Sequence, residues 1–104
     1  MFIVYLTGGI GEDGKSWCPD CDAARPAITE HILNKTKLHV LKGVVEERNS
    51  WVGVADHPFK KHQIIKAGGV PSVILIEQDQ ALARCEDEAD FKNEDMMTMV
   101  ANCD

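Results

Sequence analysis

Cys18 and Cys21 stand three residues apart where a glycine-rich loop gives way to a helix, and this junction constrains the fold more than any other feature. Upstream, Phe2 to Leu6 form a continuous β-prone apolar run, the pattern of a strand buried on both faces. Thr7 to Ser16 carries Gly8, Gly9, Gly11 and Gly14 and reads as a loop. Downstream, the spacing predicts a helix from about Cys18 to Asn34. Ala24, Ile28 and Ile32 recur every four residues as its inner stripe. Pro26 sits inside that helix and should kink it by removing one backbone donor.

The rest of the chain continues the alternation. Leu38 to Val45 reads as a second buried strand, and Glu46 to His57 as an irregular connection. A short helix should start near Pro58, capped by Asp56 and ended by Ala67-Gly68-Gly69. Val70-Pro71 leads into a third strand, Ser72–Glu77. Gln78-Asp79 then makes a tight turn into a fourth, Ala81–Glu86, antiparallel to the third. A last helix runs from about Asn93, its cap, to Asn102, with Met96, Met97 and Val100 facing the core.

The order β-α-β-α-β-β-α predicts an α/β fold: a four-stranded mixed sheet flanked by three helices on its two faces. Strands separated by a helix are expected to be parallel, joined by right-handed crossovers. At 104 residues the chain should form one domain over 1–104.

The chemistry is concentrated in Trp17-Cys18-Pro19-Asp20-Cys21. A cysteine at a helix N-terminus points its sulfur at unpaired backbone N–H groups and the positive end of the helix dipole, which favours thiolate. A second cysteine one turn on lies over the same face and can close a disulfide with little backbone movement. Pro19 in the first turn sacrifices no useful hydrogen bond. The expectation is a low-pKa, accessible nucleophile, Cys18. It attacks a substrate disulfide, and Cys21 resolves the mixed disulfide, leaving Cys18–Cys21 oxidised. Structural zinc is the main rival for any such pair. It normally needs four ligands at suitable spacing, whereas Cys85 and Cys103 are single and His31, His39, His57 and His62 form no paired motif. No metal is expected.

Pro71 reads either as a trans proline opening a strand or as a cis proline packed against the cysteine pair, and its context points to the second.

With these features in place the chain resembles thioredoxin-fold proteins. More narrowly it resembles the small cytosolic thioredoxin-related proteins of the thioredoxin domain-containing protein 17 type. The resemblance rests on Thr7-Gly8-Gly9 and Gly14-Lys15-Ser16-Trp17-Cys18-Pro19-Asp20-Cys21. It extends to Pro26, Trp51, Phe59-Lys60-Lys61 and Val70-Pro71-Ser72, and is weak over residues 80–104. It implies Cys18 as the attacking and Cys21 as the resolving cysteine. Trp17, Pro19, Val70 and Pro71 would line the substrate groove, with Val70 offering backbone hydrogen bonds. It also implies electrons from NADPH through thioredoxin reductase, no bound cofactor, and reduction of small disulfides such as cystine and of selected proteins. Two departures stand out. Family members carry a helix and strand ahead of the first strand here, so one sheet edge is expected bare or differently covered. The stretch from Phe59 to Pro71 is longer than the resemblance leads one to expect.

Thioredoxins keep a buried carboxylate beneath the cysteine pair, near the position of Tyr5, and the first strand here has no acid. Asp20 is the nearest carboxylate in sequence. It reads either as a proton-transfer aid to Cys21 or as a stabiliser of the helix N-terminus. Cys85 reads as a small core residue, Cys103 as an exposed one, and Trp51 as loop packing.

Charge narrows the partners. The net charge is −6, and residues 77–104 alone carry −7, a solvated acidic end. Nucleic acid is disfavoured, because such binders need a cationic footprint. No apolar run is long enough to span a membrane, and the start lacks the marks of a secretory signal. The expectation is a cytoplasmic monomer whose partners are thioredoxin reductase and disulfide-bearing molecules. Two other functions remain open on the sequence: a glutathione-coupled, glutaredoxin-like oxidoreductase, and a binding module switched by the redox state of the pair.

Overall fold

The computed structural model describes residues 1–102. Cys103 and Asp104 lie outside the described residues, and with them any bridge between Cys85 and Cys103. The strands are β1 (Phe2–Gly8), β2 (His39–Val45), β3 (Ser72–Glu77) and β4 (Gln80–Cys85). The α-helices are α1 (Pro19–Ile28), α2 (Pro58–Lys61) and α3 (Glu94–Ala101), and short 3-10 turns cover Arg48–Ser50 and Asp90–Lys92. The sheet has the order β2-β1-β3-β4. β1 pairs in parallel with β2 and antiparallel with β3, and β3 pairs antiparallel with β4. This is the mixed four-stranded α/β architecture the sequence predicts.

β1 is the hub because its side chains alternate between two cores. Ile3 and Tyr5 join Ala24, Ile28, Val73, Leu75, Met97 and Val100 under α1 and α3. Val4 and Leu6 join Val45, Trp51, Ile74 and Ile76 on the opposite face, where Phe59 of α2 packs. An apolar run with no polar alternation suits a strand flanked on both sides in this way.

Four sequence-based expectations need correction. β2 and β3 are not parallel: they lie on opposite sides of β1, and β3 runs the other way. The helix between them is one turn, roughly 6 Å at 1.5 Å per residue, too short to carry the chain back along a sheet roughly 20 Å deep. It stops at Lys61 rather than near Gly68 because the His62 imidazole accepts the amides of Ile64 and Ile65. Its N-cap is His57, whose Nδ1 accepts from the Phe59 amide at 3.1 Å, and not Asp56. β2 is not a buried strand either. It pairs only with β1 among the described residues, and Leu41 and Val44 are 59% and 40% exposed. An apolar run does not distinguish an edge from a centre.

The first helix stays α through Pro26 and widens into a π-type turn over Thr29–Leu33, inside the span expected for it. Pro26 leaves the Asp22 carbonyl without an in-helix donor. Gln78 and Asp79 both have positive φ, 49° and 65°, as a two-residue hairpin turn requires. Asn93 caps α3 through Oδ1, which accepts from the Met96 amide. Cys85 is fully buried on β4, and Trp51 is packed at 6% exposure with Lys60 over its ring.

Because β3 is antiparallel to β1, the Val70-Pro71 segment arrives at the same end of the sheet as Gly8. That is the end where α1 begins.

Candidate active site

The loop between β1 and α1 closes on itself before it reaches the cysteines. Ile10 and Ser16 form a β-bridge, the Gly11 amide donates to the Lys15 carbonyl at 2.9 Å, and Gly14 supplies a φ of +79°. Asp22 then ties the loop to the helix. Its carboxylate accepts the Ser16 amide at 3.1 Å and pairs with Arg25 at 2.8 Å. The Ser16 amide first, and Arg25 second, hold the Asp22 carboxyl below the usual range. Ser16 Oγ in turn accepts the Cys18 amide.

Cys18 is the N-cap of α1, and its sulfur accepts the Cys21 amide at 3.2 Å. A thiol here takes the place of the usual Ser, Thr or Asp cap. Cys18 Sγ also donates to the Val70 carbonyl at 3.4 Å, and the Val70-Pro71 peptide is cis. The structure thus brings the cysteine pair, Val70 and Pro71 together. Cys21 lies beneath, fully buried, and its sulfur accepts the Gly8 amide at 3.3 Å. Trp17 is half-buried and donates from Nε1 to the Val45 carbonyl at 2.7 Å, which ties the motif to the end of β2. Pro19 is exposed at the first helical position.

The resting state of Cys18 differs from the sequence-based expectation. The residue is only 6% exposed, not open. Burial, more than any other cause, pushes its thiol up to about 12 from an ordinary 9.0. The neighbouring Cys21 side chain adds to this and Asp20 adds least, while the Cys21 backbone amide opposes it. Donation to the Val70 carbonyl also favours the protonated form. The helix terminus loses to desolvation here.

Asp20 is exposed and makes no hydrogen bond to either sulfur among the described residues. It stands on the rim of a groove of about 130 Å³ that also touches Val70 and Pro71. Sequence reasoning missed this groove, which is floored partly by Phe91, and it missed Asp22 as the residue that fixes the loop. Asp22 was signalled only as a second acid in the first helical turn. Among the described residues, no three His, Cys, Asp or Glu side chains gather to hold a metal ion. Nor, among the described residues, is any helix long and apolar enough to cross a membrane.

A cysteine-capped helix facing an extended Val70-Pro71 segment at one end of a β2-β1-β3-β4 sheet defines a thioredoxin-fold protein. Residues 1–102 match the thioredoxin domain of the thioredoxin domain-containing protein 17-like family, and the chain belongs to that family. Thioredoxin-like protein Clot from Arabidopsis thaliana is 33% identical over 89 residues, covering 83% of this chain and 64% of the relative. Thioredoxin domain-containing protein 17 from Mus musculus is 31% identical over 90 residues, covering 81% of this chain and 67% of the relative. Acireductone dioxygenase from Leishmania braziliensis is 25% identical over 80 residues, a match confined to 23% of that protein. The chain therefore spans about two thirds of the plant and mouse relatives. Family membership supports a thioredoxin-related redox function in general.

Proposed function

We propose that the protein is a dithiol reductase of disulfides, with Cys18 as nucleophile and Cys21 as resolving thiol. The observation that carries this reading is the position of Cys18 Sγ between the Cys21 amide and the Val70 carbonyl. In the reaction Cys18 attacks one sulfur of a substrate disulfide, and the other sulfur leaves as a thiol. Cys21 then attacks Cys18, releases the second substrate thiol and leaves a Cys18–Cys21 disulfide. Two electrons and two protons pass from the protein dithiol to the substrate.

The raised Cys18 pKa calls for an activating event. A substrate main chain that donates an N–H to the Val70 carbonyl takes it from the Cys18 thiol. That removes the hydrogen bond holding the proton, while the Cys21 amide remains to stabilise the thiolate. Trp17, Pro19 and Pro71 would border that substrate segment. Asp20 would act on Cys21 only through a bridging water. Re-reduction would draw on NADPH through thioredoxin reductase, with no bound cofactor, in a reducing compartment such as the cytoplasm. The lining of the groove beside the pair, three carboxylates against one lysine, speaks against a glutathione-coupled enzyme, since glutathione is itself an anion with two carboxylates.

The test is NADPH consumption on cystine and on insulin, once with thioredoxin reductase and once with glutathione plus glutathione reductase, with Cys18→Ser as control. Turnover only with thioredoxin reductase, lost in Cys18→Ser, is the expected result. Turnover only with glutathione moves the protein to the glutaredoxin-like class. No turnover in either system, beside a titratable Cys18–Cys21 disulfide, leaves a redox-switched binding module.

A further inference from the structure

The groove beside the cysteine pair has a construction that the dithiol chemistry itself does not use. It lies between α1 and the chain that follows β4, and it shares Val70 and Pro71 with the reactive site. Its floor is apolar: Pro71, Ala24 and Phe91 are all buried. Its rim is charged, with Asp20, Glu86 and Glu88 against Lys92. Glu86 is committed, because Arg84 holds it at 3.0 Å. Glu88 meets Lys92 at 2.9 Å, but both side chains are largely exposed and such pairs are weak. Asp20 is in no ion pair among the described residues. Asp20 and Glu88 therefore stand above an apolar floor, with Lys92 as the opposing charge, in a groove that shares Val70 with the reactive site.

We infer that this groove selects substrates in which a lysine or arginine flanks the reacting half-cystine. The stem of such a side chain is apolar and its head cationic. Seated here, the stem covers Phe91 and Pro71 while the head meets Asp20 and Glu88. A glutamate at the same place meets like charge, and like charges set against each other penalise the wrong partner. The inference rests on the dithiol-reductase reading and deepens it by naming the substrate class. The reaction is unchanged: the substrate disulfide gains two electrons and two protons, and the Cys18–Cys21 dithiol loses them.

The experiment uses the pre-reduced protein in single turnover, so no reductase enters. Blocked cysteine peptides are supplied as symmetric disulfides, with Lys, Gln or Glu on both sides of the cysteine. The second-order rate of peptide-thiol release is followed by chromatography. At low ionic strength the Lys peptide is expected to react about tenfold faster than the Glu peptide, with Gln between them, and high salt should compress the ratio. Glu88→Lys should bring the ratio close to one. Glu30→Lys makes the same charge change on the exposed far part of the first helical segment and should leave the ratio near its parent value. Using a ratio cancels any general loss of reactivity.

Equal rates for the three peptides overturn the inference and leave the reductase reading standing. So does a preference that Glu30→Lys lowers as much as Glu88→Lys, because that reports overall charge. If no peptide disulfide is reduced and Cys18–Cys21 stays a dithiol, the reductase reading fails and the inference falls with it.

Discussion

Gly8→Ala is the perturbation that most directly probes how the strand end supports the redox motif. A Cβ at Gly8 would lie 2.7 Å from Ser16 Oγ, 3.0 Å from Cys18 Cβ and 3.0 Å from Trp17 Cε2. The three contacts differ in how far they can yield. The Ser16 hydroxyl can swing away, but it then gives up the Cys18 amide, a hydrogen bond worth about 0.5–1.5 kcal/mol. The Cys18 Cβ cannot move without moving the helix start. The Trp17 indole is anchored to the Val45 carbonyl. Overpacking of this kind costs about 1–3 kcal/mol. Against it stands a gain of about 0.4–1 kcal/mol, because alanine restricts the unfolded chain more than glycine does. The expected net loss is about 0.5–4 kcal/mol, and oxidation of the Cys18–Cys21 pair should slow. Urea unfolding of the reduced variant measures the first, and the rate of disulfide formation with oxidised dithiothreitol measures the second. Gly69→Ala is the control, since nothing lies within 4 Å of its Cβ. A Gly8→Ala variant within about 0.5 kcal/mol of the parent, oxidising at the parent rate, would refute the claim that the strand end and the motif are packed as one piece.

Two further perturbations follow from the buried thiol and the loop carboxylate. Burial, helped by Asp90, holds the Cys85 thiol up at about 11 from an ordinary 9.0, so the folded state keeps a proton that the unfolded state sheds. Its stabilising contribution is fully present below pH 9 and is lost as pH rises through 11, about 2–3 kcal/mol in total. Urea-unfolding free energies from pH 8 to 11 should therefore fall less steeply in Cys85→Ala than in the parent, and parallel curves would sink the assignment. Asp22 has the opposite sign. Its lowered pKa gives stability above the ordinary carboxylate range that is lost as pH falls through its folded value. The Ser16 amide should lose hydrogen-exchange protection on acidification and lose it at neutral pH in Asp22→Asn; unchanged protection in that variant would show that the loop is held by other means.

Much of the fold could be read from patterns whose physical cause is local. Phe2 to Leu6 reads as a strand covered on both faces because continuous apolar character needs such cover, and Ile3 to Leu6 are buried. Ser72–Glu77 was bounded by Pro71 and by the Gln78-Asp79 turn, and its limits agree with the structure. Asn93 marked its helix start for the same reason that it caps it: a short side-chain oxygen reaches the amide three residues on. What failed was global. Whether Leu38 to Val45 lies at an edge, and whether β3 runs with or against β1, depend on what else pairs with the sheet and where the connection travels. A histidine cap and a histidine stop at His57 and His62 fall outside the usual capping preferences, so the sequence pattern predicts a longer α2 than the structure has. At the candidate site, the pairing of Cys18 with Cys21 followed from spacing. The raised pKa of Cys18 did not, because burial and the hydrogen bond to the Val70 carbonyl depend on a segment some 50 residues away in sequence.

The depth of Cys21 beneath Cys18 has a consequence for damage. Of the two thiols only Cys18 has any exposed surface, so a peroxide reaching the pair would convert Cys18, once it is a thiolate, to a sulfenic acid, the first rung of a ladder whose higher rungs are irreversible. Cys21 has no exposed surface and is held by the Gly8 amide beside the modified sulfur. On the proposed dithiol reading it would condense with that sulfenic acid, forming the Cys18–Cys21 disulfide and releasing water. On that reading, the layout that would resolve a mixed disulfide would also end oxidative attack at a disulfide, a state from which dithiols recover by exchange. A Cys21→Ser chain would lack that escape and should accumulate sulfinic and sulfonic acid at Cys18.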